Sequence, residues 1–264
     1  MLMLLKRTLR NGQRMEPPCQ LELAAVRGKK ILRIQVVVDL CTGKTASARL
    51  DPASTMDEWV DEIANASGVV TQSGWSIFID RFGTLVSLRG AGGKGMHIMD
   101  ALSKLDQKAS KADAKDILNV TGQFSFRKEL FEPDMKPKKD HKAMHIMMHQ
   151  IQFGIKLDHF KCKNMASYNQ LAAWMYFSLY GDDIDEKRLK DCLTAWFPAR
   201  VFTGPGNSMK DRIPQIEKIS AKGDFARKSF TTPETEHLVI KFATETWGKV
   251  DSFSADKAIK LYAN

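Results

Sequence analysis

The sequence contains no apolar run near the length of about 20 residues that a helix needs to cross a bilayer. We therefore expect a soluble or peripheral chain with no transmembrane segment. The four cysteines, at positions 19, 41, 162 and 192, form no CxxC pair, which argues against a zinc ribbon or a redox motif. The start of the chain also lacks the order of charge and apolar core that marks a secretory signal.

Motifs for nucleotide binding and catalysis are absent as well. Cys41–Thr45 resembles the end of a P-loop, but Val38 occupies the position of that loop's first glycine, so we interpret this segment as a hairpin turn. The acidic cluster Asp182–Glu186 predicts a helix start rather than a Mg²⁺ site, because acidic side chains are favoured there by the helix dipole. No Ser-His-Asp or Cys-His set stands out from local spacing. We predict that the chain is not an enzyme and needs no cofactor.

Three histidines, His141, His145 and His149, recur every four residues and would share one face of a helix. The zinc motif HExxH is missing, because residues 142–144 are Lys-Ala-Met. We therefore expect no bound metal and predict a polar helix face that is turned toward RNA.

Positive charge is the most prominent feature that is present. The chain has 40 Lys and Arg against 31 Asp and Glu, a net charge of +9. The excess lies in residues 1–50 and 101–163, and residues 51–100 between them are acidic overall. Such blocks indicate binding to a polyanion, either nucleic acid or an anionic membrane. The alternative is that the charge serves solubility alone.

Hydrophobic periodicity predicts strands first and helices afterwards. Strand signals occupy residues 19–50, including Leu21 and Leu23, and residues 74–79 and 84–88 predict a hairpin. A helix is expected from Ser54. Helical patterns then cover 96–108, 111–119, 140–153, 165–180, 184–197, 233–247 and 254–262. The predicted fold is mainly α with a small β-containing N-terminal part.

This pattern divides the chain into four parts: an N-terminal arm (1–18), a β-containing N-terminal lobe (19–95), a helical body (96–247) and a C-terminal arm or helix (248–264). The first part is apolar and basic and ends at two prolines. It suits a transit peptide, a membrane-surface helix or an arm that packs on a neighbouring subunit. The glycine-rich segment 90–95 is either a hinge or a phosphate contact at a helix start.

Basic residues interleaved with aromatic ones over residues 124–163 favour single-stranded nucleic acid, because cations neutralise phosphates and aromatic faces stack on bases. Phe126 and Tyr168 are the candidate stacking residues. No RNP1, KH, zinc-finger or homeodomain signature appears, so recognition would run through the phosphate backbone. The candidate phosphate contacts are Arg81, Arg89, Lys94, Arg127, Lys128, Lys136, Lys138, Lys139, Lys142, Lys161, Lys163, Arg200, Lys210 and Arg212.

Three patches resemble nucleoproteins of segmented negative-strand RNA viruses of the bunyavirus order. Gly74–Ile79 is similar to a Gly-Trp strand of orthobunyavirus nucleoproteins, and Trp247–Lys249 with the terminal helix is similar to their C-terminus. Asn119-Val120 and Asn169–Ala172 resemble emaravirus motifs, with Gln170 where that family has Arg.

The resemblance implies a two-lobed architecture with terminal arms that grips single-stranded genomic RNA and assembles into a ring or filament. It implies location in the virion and host cytoplasm, with the viral polymerase as a further candidate partner. The alternatives are a viral matrix-type or membrane-surface adaptor and a regulatory RNA-binding protein acting on host pathways. The candidate oligomerisation residues in the two arms are Leu4, Leu5, Leu9, Ile259, Leu261 and Tyr262.

Overall fold

A computed structural model gives the structure of the chain. It describes residues 6, 9–28, 34–70, 73–81, 84–88, 97–109, 124–129, 140–157, 160–181, 183–222, 234 and 236–242. These residues form two compact units, one within residues 1–130 and the other within residues 131–253. The predicted boundary at residue 95 therefore lies inside the first unit, because a strand beyond it joins that unit's sheet.

The first unit contains a five-stranded mixed sheet. Its strands are β1 (Ile34–Asp39), β2 (Thr45–Leu50), β3 (Trp75–Arg81), β4 (Thr84–Ser87) and β5 (Phe124–Lys128). The order is β2-β1-β5-β3-β4, with β1 and β5 parallel and all other neighbours antiparallel. The two predicted hairpin pairings, of β1 with β2 and of β3 with β4, are confirmed.

A helix of this unit, α2 (Met56–Ser67), begins one residue later than predicted, at the cap Thr55. The Glu58 N–H donates to Thr55 Oγ1 at 3.3 Å, and the Thr55 N–H donates to the Glu58 carboxylate at 3.2 Å. This reciprocal pair satisfies two N–H groups that the helix start leaves open. Trp59 is buried and meets Phe124 edge-on, with ring centroids 5.3 Å apart, so the helix packs on the sheet.

Two further helices, α1 (Gln20–Arg27) and α3 (Ile98–Ala109), lie beside each other in the first unit. The strand predicted over residues 21–23 is therefore wrong. The Glu22 carboxylate accepts from the Cys19 N–H at 2.9 Å, and the Gln20 N–H donates to Asp106 at 2.8 Å. These bonds start a helix at a position where two alternating leucines had indicated a strand. The predicted helix at 96–108 is confirmed as α3.

The second unit is helical where the structure describes it. Its helices are α4 (His141–Lys156), α5 (Met165–Tyr180), α6 (Glu186–Trp196) and α7 (Met209–Lys222), with a 3-10 helix at Ala199–Phe202. Residues 236–242 are also helical. The predictions over 140–153, 165–180 and 184–197 are confirmed. The predicted helices at 111–119 and 254–262 lie outside the described residues.

The sequence did not predict α7, because Pro214 falls inside it. Proline normally ends a helix by removing one N–H and crowding the preceding turn. Ile213 and Ile216 on either side are buried, and α7 packs against α5. Packing therefore retains a helix that local propensity disfavours. In the described part of the chain, no helix has the length and apolar character to cross a bilayer.

Candidate partner-binding cleft

An open cleft of about 560 Å³ lies on the second unit, at the first turns of α5 and along α7. Clefts in this size range commonly hold ligands. Its walls combine apolar side chains with amides and two cationic groups. The lining residues are Met165, Ala166, Asn169, Gln170, Asn207, Arg212, Gln215, Lys218 and Ile219.

Local capping sets the start of both helices that form the cleft. Asn164 Oδ1 accepts from the Ser167 N–H at 2.8 Å and so begins α5. Ser208 and Asp211 form the corresponding pair before α7, with the Asp211 N–H donating to Ser208 Oγ at 3.3 Å. Side-chain caps of this kind fix the first helical residue. Because α7 begins at Met209, Arg212 lies at the N-terminal end of this helix.

Arg212 lines the cleft and is only 2% exposed. Its Nε–H donates to the Asn207 carbonyl at 3.1 Å, one Nη to Asn169 Oδ1 at 2.8 Å, and the other to Asn207 Oδ1 at 3.1 Å. Its guanidinium also lies over the Phe202 ring, 5.8 Å from the centroid. All three hydrogen-bond acceptors are neutral.

Burial lowers the pKa of Arg212 from its ordinary value, and the Tyr168 side chain opposes this by a smaller amount. Among the described residues no carboxylate forms an ion pair with Arg212. The acid next to it, Asp211, accepts from the Ser208 N–H and hydroxyl instead. Asn169 is held in turn, since its Nδ2 donates to Gln215 Oε1 at 2.8 Å. The cleft thus has a positively charged floor, formed by Arg212, that no acidic side chain among the described residues neutralises, and this floor suits a negatively charged acceptor group.

The sequence missed most of this site. Arg212 was predicted as a candidate phosphate contact, and the structure buries it. Asn169 was noted only as part of a short motif, and Asn207, Gln215 and Lys218 were not noted. The one local signal was Gly204-Pro205-Gly206 followed by Asn207-Ser208, which is typical of a turn that leads into a capped helix.

The other predicted phosphate contacts are dispersed. Lys128 is buried on the core face of β5, donates to the Ser73 carbonyl and lies 5.5 Å from the Trp75 ring centroid. Arg127 is half-buried, and its Nε–H donates to Ser125 Oγ at 2.9 Å. Exposed positions on the second unit are Lys142, Lys161, Lys163, Arg200 and Lys210.

The predicted base-stacking residues are not accessible. Phe126 is fully buried and stacks on Trp75, with centroids 4.5 Å apart. Tyr168 is 4% exposed, and its hydroxyl accepts from Arg200 at 3.3 Å. Both rings belong to the cores of their own units, so neither presents a face to a base.

Several predicted positions lie outside the described residues, and the side chain of Arg81 is likewise not described. The undescribed contact positions are Arg89, Lys94, Lys136, Lys138 and Lys139, with Leu4, Leu5, Ile259, Leu261 and Tyr262 among those assigned to oligomerisation. Leu9 is described and is 77% exposed. The structure does not test whether the exposed basic positions contact phosphates, and the assignment of Leu9 to self-association likewise stays a prediction.

The described part of the N-terminal arm packs on its own unit. Asn11 Nδ2 donates to the Ala53 carbonyl at 2.9 Å, and Arg14 Nε donates to Asp100 at 2.9 Å. The His97 ring nitrogen Nε2 also lies 3.1 Å from the Gly12 carbonyl oxygen. These contacts hold this segment against the first unit.

The histidine face of α4 makes protein contacts. His145 Nδ1 lies 2.8 Å from Glu236, whose side chain is 3% exposed, and the His145 and His149 rings meet edge-on. Within the described ranges, no group of three His, Cys, Asp or Glu side chains has the geometry of a metal site.

The acidic cluster after α5 has its predicted capping role, because Asp185 accepts from the Arg188 N–H at 2.6 Å. Burial raises the pKa of Cys19 and Cys162 to about 12, so both are thiols at neutral pH.

The chain is similar to part of several unconventional myosins. The chain is 28% identical over 243 residues to Myosin-VIIa of Drosophila melanogaster. It is 29% identical over 244 residues to unconventional myosin heavy chain 6 of Caenorhabditis elegans, and 28% over 244 residues to unconventional myosin-VIIb of Mus musculus. Each alignment covers 92% of this chain but only 11% of the relative. The family model described as RA like domain matches residues 32–130.

Solved structures agree with these relatives. The human Myosin 7b C-terminal MyTH4-FERM domain, in complex with the harmonin-a PDZ3 domain, superimposes with a TM-score of 0.64 and 20% identity over 92% of this chain and 48% of that one. The MyTH4-FERM MF2 domain of Dictyostelium discoideum Myosin VII gives 0.66 and 17% identity over 89% and 46%. The chain has the fold of part of a MyTH4-FERM domain. It spans about half the length of these structures.

These likenesses correct the nucleoprotein interpretation. The predicted mainly α, bunyavirus-type architecture is wrong, since the first unit has a mixed sheet like that of an RA-like domain. Encapsidation of single-stranded RNA, assembly into rings or filaments, association with a viral polymerase and location in the virion are also wrong, because the relatives are myosins. Neither alternative, a membrane-surface adaptor or a host-directed RNA-binding protein, matches them. The Gly-Trp patch is a buried strand of this sheet, a pattern that many folds share.

Proposed function

We propose that this chain is a non-catalytic, protein-binding module of a myosin tail, in which the folded units carry surfaces for a cargo or partner protein. The observation that supports the proposal is the likeness to MyTH4-FERM domains over about nine-tenths of the chain, at TM-scores of 0.64 and 0.66. One of those domains was solved in complex with a PDZ domain. That complex concerns the relative, and it supplies the class of partner to test here.

The electrostatics of the second unit fit this role. The cleft floor carries a cation without an acidic partner among the described residues, and amide and apolar groups surround it. Protein interfaces combine apolar contact area with a few polar groups that fix orientation. The thiols of Cys19 and Cys162 are held protonated by burial, so they lack the nucleophilic form that a cysteine enzyme needs.

The test is recovery of a partner with the full chain. The tagged protein is isolated from its own cells at 0.3 M salt, a concentration that screens charge-driven adsorption to a protein of net charge +9. We expect a partner protein at a fixed stoichiometry, measured by size-exclusion chromatography with light scattering on the purified pair. Recovery of the chain alone, from several tissues or growth states, would overturn the proposal. Turnover of a substrate by the purified chain would contradict its non-catalytic part.

A further inference from the structure

Among the residues that the structure describes, no acidic side chain compensates the charge of Arg212. Three of the five N–H groups of its guanidinium bond to neutral oxygens of Asn169 and Asn207. Burying a cation away from water is unfavourable unless an opposite charge or a full set of hydrogen bonds replaces the water. Burial also lowers the pKa of Arg212, because it disfavours the charged form of the guanidinium. A carboxylate entering the cleft would supply the missing charge.

The hydrogen bonds around Arg212 hold it in place for such a group. Asn207 supplies two acceptors from one residue, and Asn169 is itself fixed by Gln215 at 2.8 Å. A guanidinium held this way loses little side-chain entropy when it binds, which favours the paired geometry that arginine forms with carboxylates. Lys218 adds a second positive charge to the lining, and none of the described lining residues is acidic.

The remaining lining determines what accompanies the carboxylate. Met165, Ala166 and Ile219 present apolar surface, and the Gln170 amide offers further hydrogen bonds. A free inorganic anion would leave that apolar surface in contact with water. An acidic side chain flanked by apolar residues would cover it. Peptides with this composition match the cleft better than a highly charged polyanion.

We propose that the cleft binds a partner protein through an Asp or Glu side chain, whose carboxylate pairs with Arg212 while neighbouring apolar side chains pack on Met165, Ala166 and Ile219. This inference rests on the proposed protein-binding function and specifies how one surface of the module recognises its partner. It assigns the acidic group to the partner and the cationic floor to this chain.

The test uses the full chain and a library of 10-residue peptides displayed on beads, with a matched library in which Asn and Gln replace every Asp and Glu. We expect wild-type protein to select sequences with an acid beside Leu, Ile or Met, and to select none from the matched library. Arg212→Gln should weaken binding of the selected peptides by about 30-fold or more, as expected when one partner of a buried charge pair is truncated. The control Lys190→Gln removes an exposed lysine of the same unit outside the cleft and should leave binding unchanged.

A second variant keeps the test valid if Arg212→Gln unfolds the protein. Gln170→Glu adds a carboxylate to the cleft wall without touching the Arg212 hydrogen bonds, so it should block acidic peptides and leave the melting temperature unchanged. Equal selection from both libraries, or full binding by a folded Gln170→Glu variant, would overturn the inference. A cellular partner that binds Gln170→Glu as tightly as it binds wild type would also overturn the inference. The proposed protein-binding function would still stand in that case. Failure to recover any partner would instead count against the proposed function.

Discussion

Replacing Asp100 by alanine should release the N-terminal segment from the first unit. Asp100 is 3% exposed and accepts three hydrogen bonds from that segment. They come from Arg14 Nε at 2.9 Å, the Met15 N–H at 3.0 Å and the Glu16 N–H at 3.4 Å. Arg14 has one further acidic partner, Glu22. One carboxylate therefore anchors three consecutive residues of the segment.

The size of the effect follows from burial. Removing one partner of a buried ion pair costs about 3–5 kcal/mol. The lower end applies here, because the Arg14 side chain is 20% exposed and retains Glu22. A loss of about 3 kcal/mol corresponds to a roughly 100-fold increase in the population of the released segment.

Limited trypsin digestion of the full chain measures that population when opening and closing are faster than cleavage. Cleavage after Arg14 should accelerate in Asp100→Ala by a factor that approaches the roughly 100-fold increase in the released population. Cleavage after exposed Arg10 is the internal reference, and Asp61→Ala, an exposed acid on α2, is the matched control. An unchanged rate ratio between the two sites in Asp100→Ala would refute the reasoning.

The same contact predicts a dependence on pH. Burial alone raises the pKa of Asp100, but the Met15 N–H and the Arg14 guanidinium outweigh it and hold that pKa below its ordinary value. A carboxyl group with a depressed pKa stabilises the fold fully above its unfolded pKa of about 3.9 and loses that contribution as the pH falls through the folded value. The amides at positions 15 and 16, measured by hydrogen exchange corrected for intrinsic rates, should stay protected at pH 5 and lose protection progressively as the pH falls below about 3.9. Protection that does not change over this range would contradict the assignment.

Three further changes test the packing and electrostatics of the second unit. Gly154→Ala would place a Cβ against the Phe160 ring, so it should destabilise the fold by about 1–3 kcal/mol in thermal melts, with partial recovery on adding Phe160→Ala. Burial and then the neighbouring His145 lower the pKa of His149, so protonation should destabilise the fold below about pH 6.5, and His149→Asn should melt with less pH dependence between 7.5 and 5.5. Lys156 Nζ donates to two carbonyls at the end of α6, and Lys156→Met should cost about 1 kcal/mol in urea unfolding.

Local sequence signals predicted the elements whose cause is local. The caps Asp140 and Asn164 begin α4 and α5 where expected, because a side-chain oxygen can satisfy a free N–H within three residues. The turn at Cys41–Lys44 and the β3–β4 hairpin were predicted for the same reason, since each pairs segments a few residues apart.

Elements that depend on distant partners were not predicted. Phe124–Lys128 has the aromatic and basic composition that was interpreted as an RNA-binding surface. It is a central strand, because Phe124 pairs with Val38 in parallel and Ile79 in antiparallel register. Parallel pairing needs a long crossover connection, so no short window of sequence contains both strands. Lys128 was misassigned for the same reason, since its burial depends on which face of the sheet is covered.

The candidate cleft shows the same limit. A basic residue is exposed by default, and its sequence neighbours give no reason to expect otherwise. Arg212 is buried because α7 continues through Pro214 and packs on α5, where Asn169 accepts a hydrogen bond from 43 positions away. Composition alone therefore identified the positive charge and assigned it to the wrong kind of partner.

The sequence by itself determined where most helices begin and which hairpins close, because these depend on patterning and caps within a few residues. It also determined the net charge of +9. The tertiary structure decided which basic side chains face solvent and which are buried, and it brought Asn169, Asn207 and Arg212 together at one cleft. Charge acts through its position and its surroundings, and both are set by contacts between segments far apart in the chain.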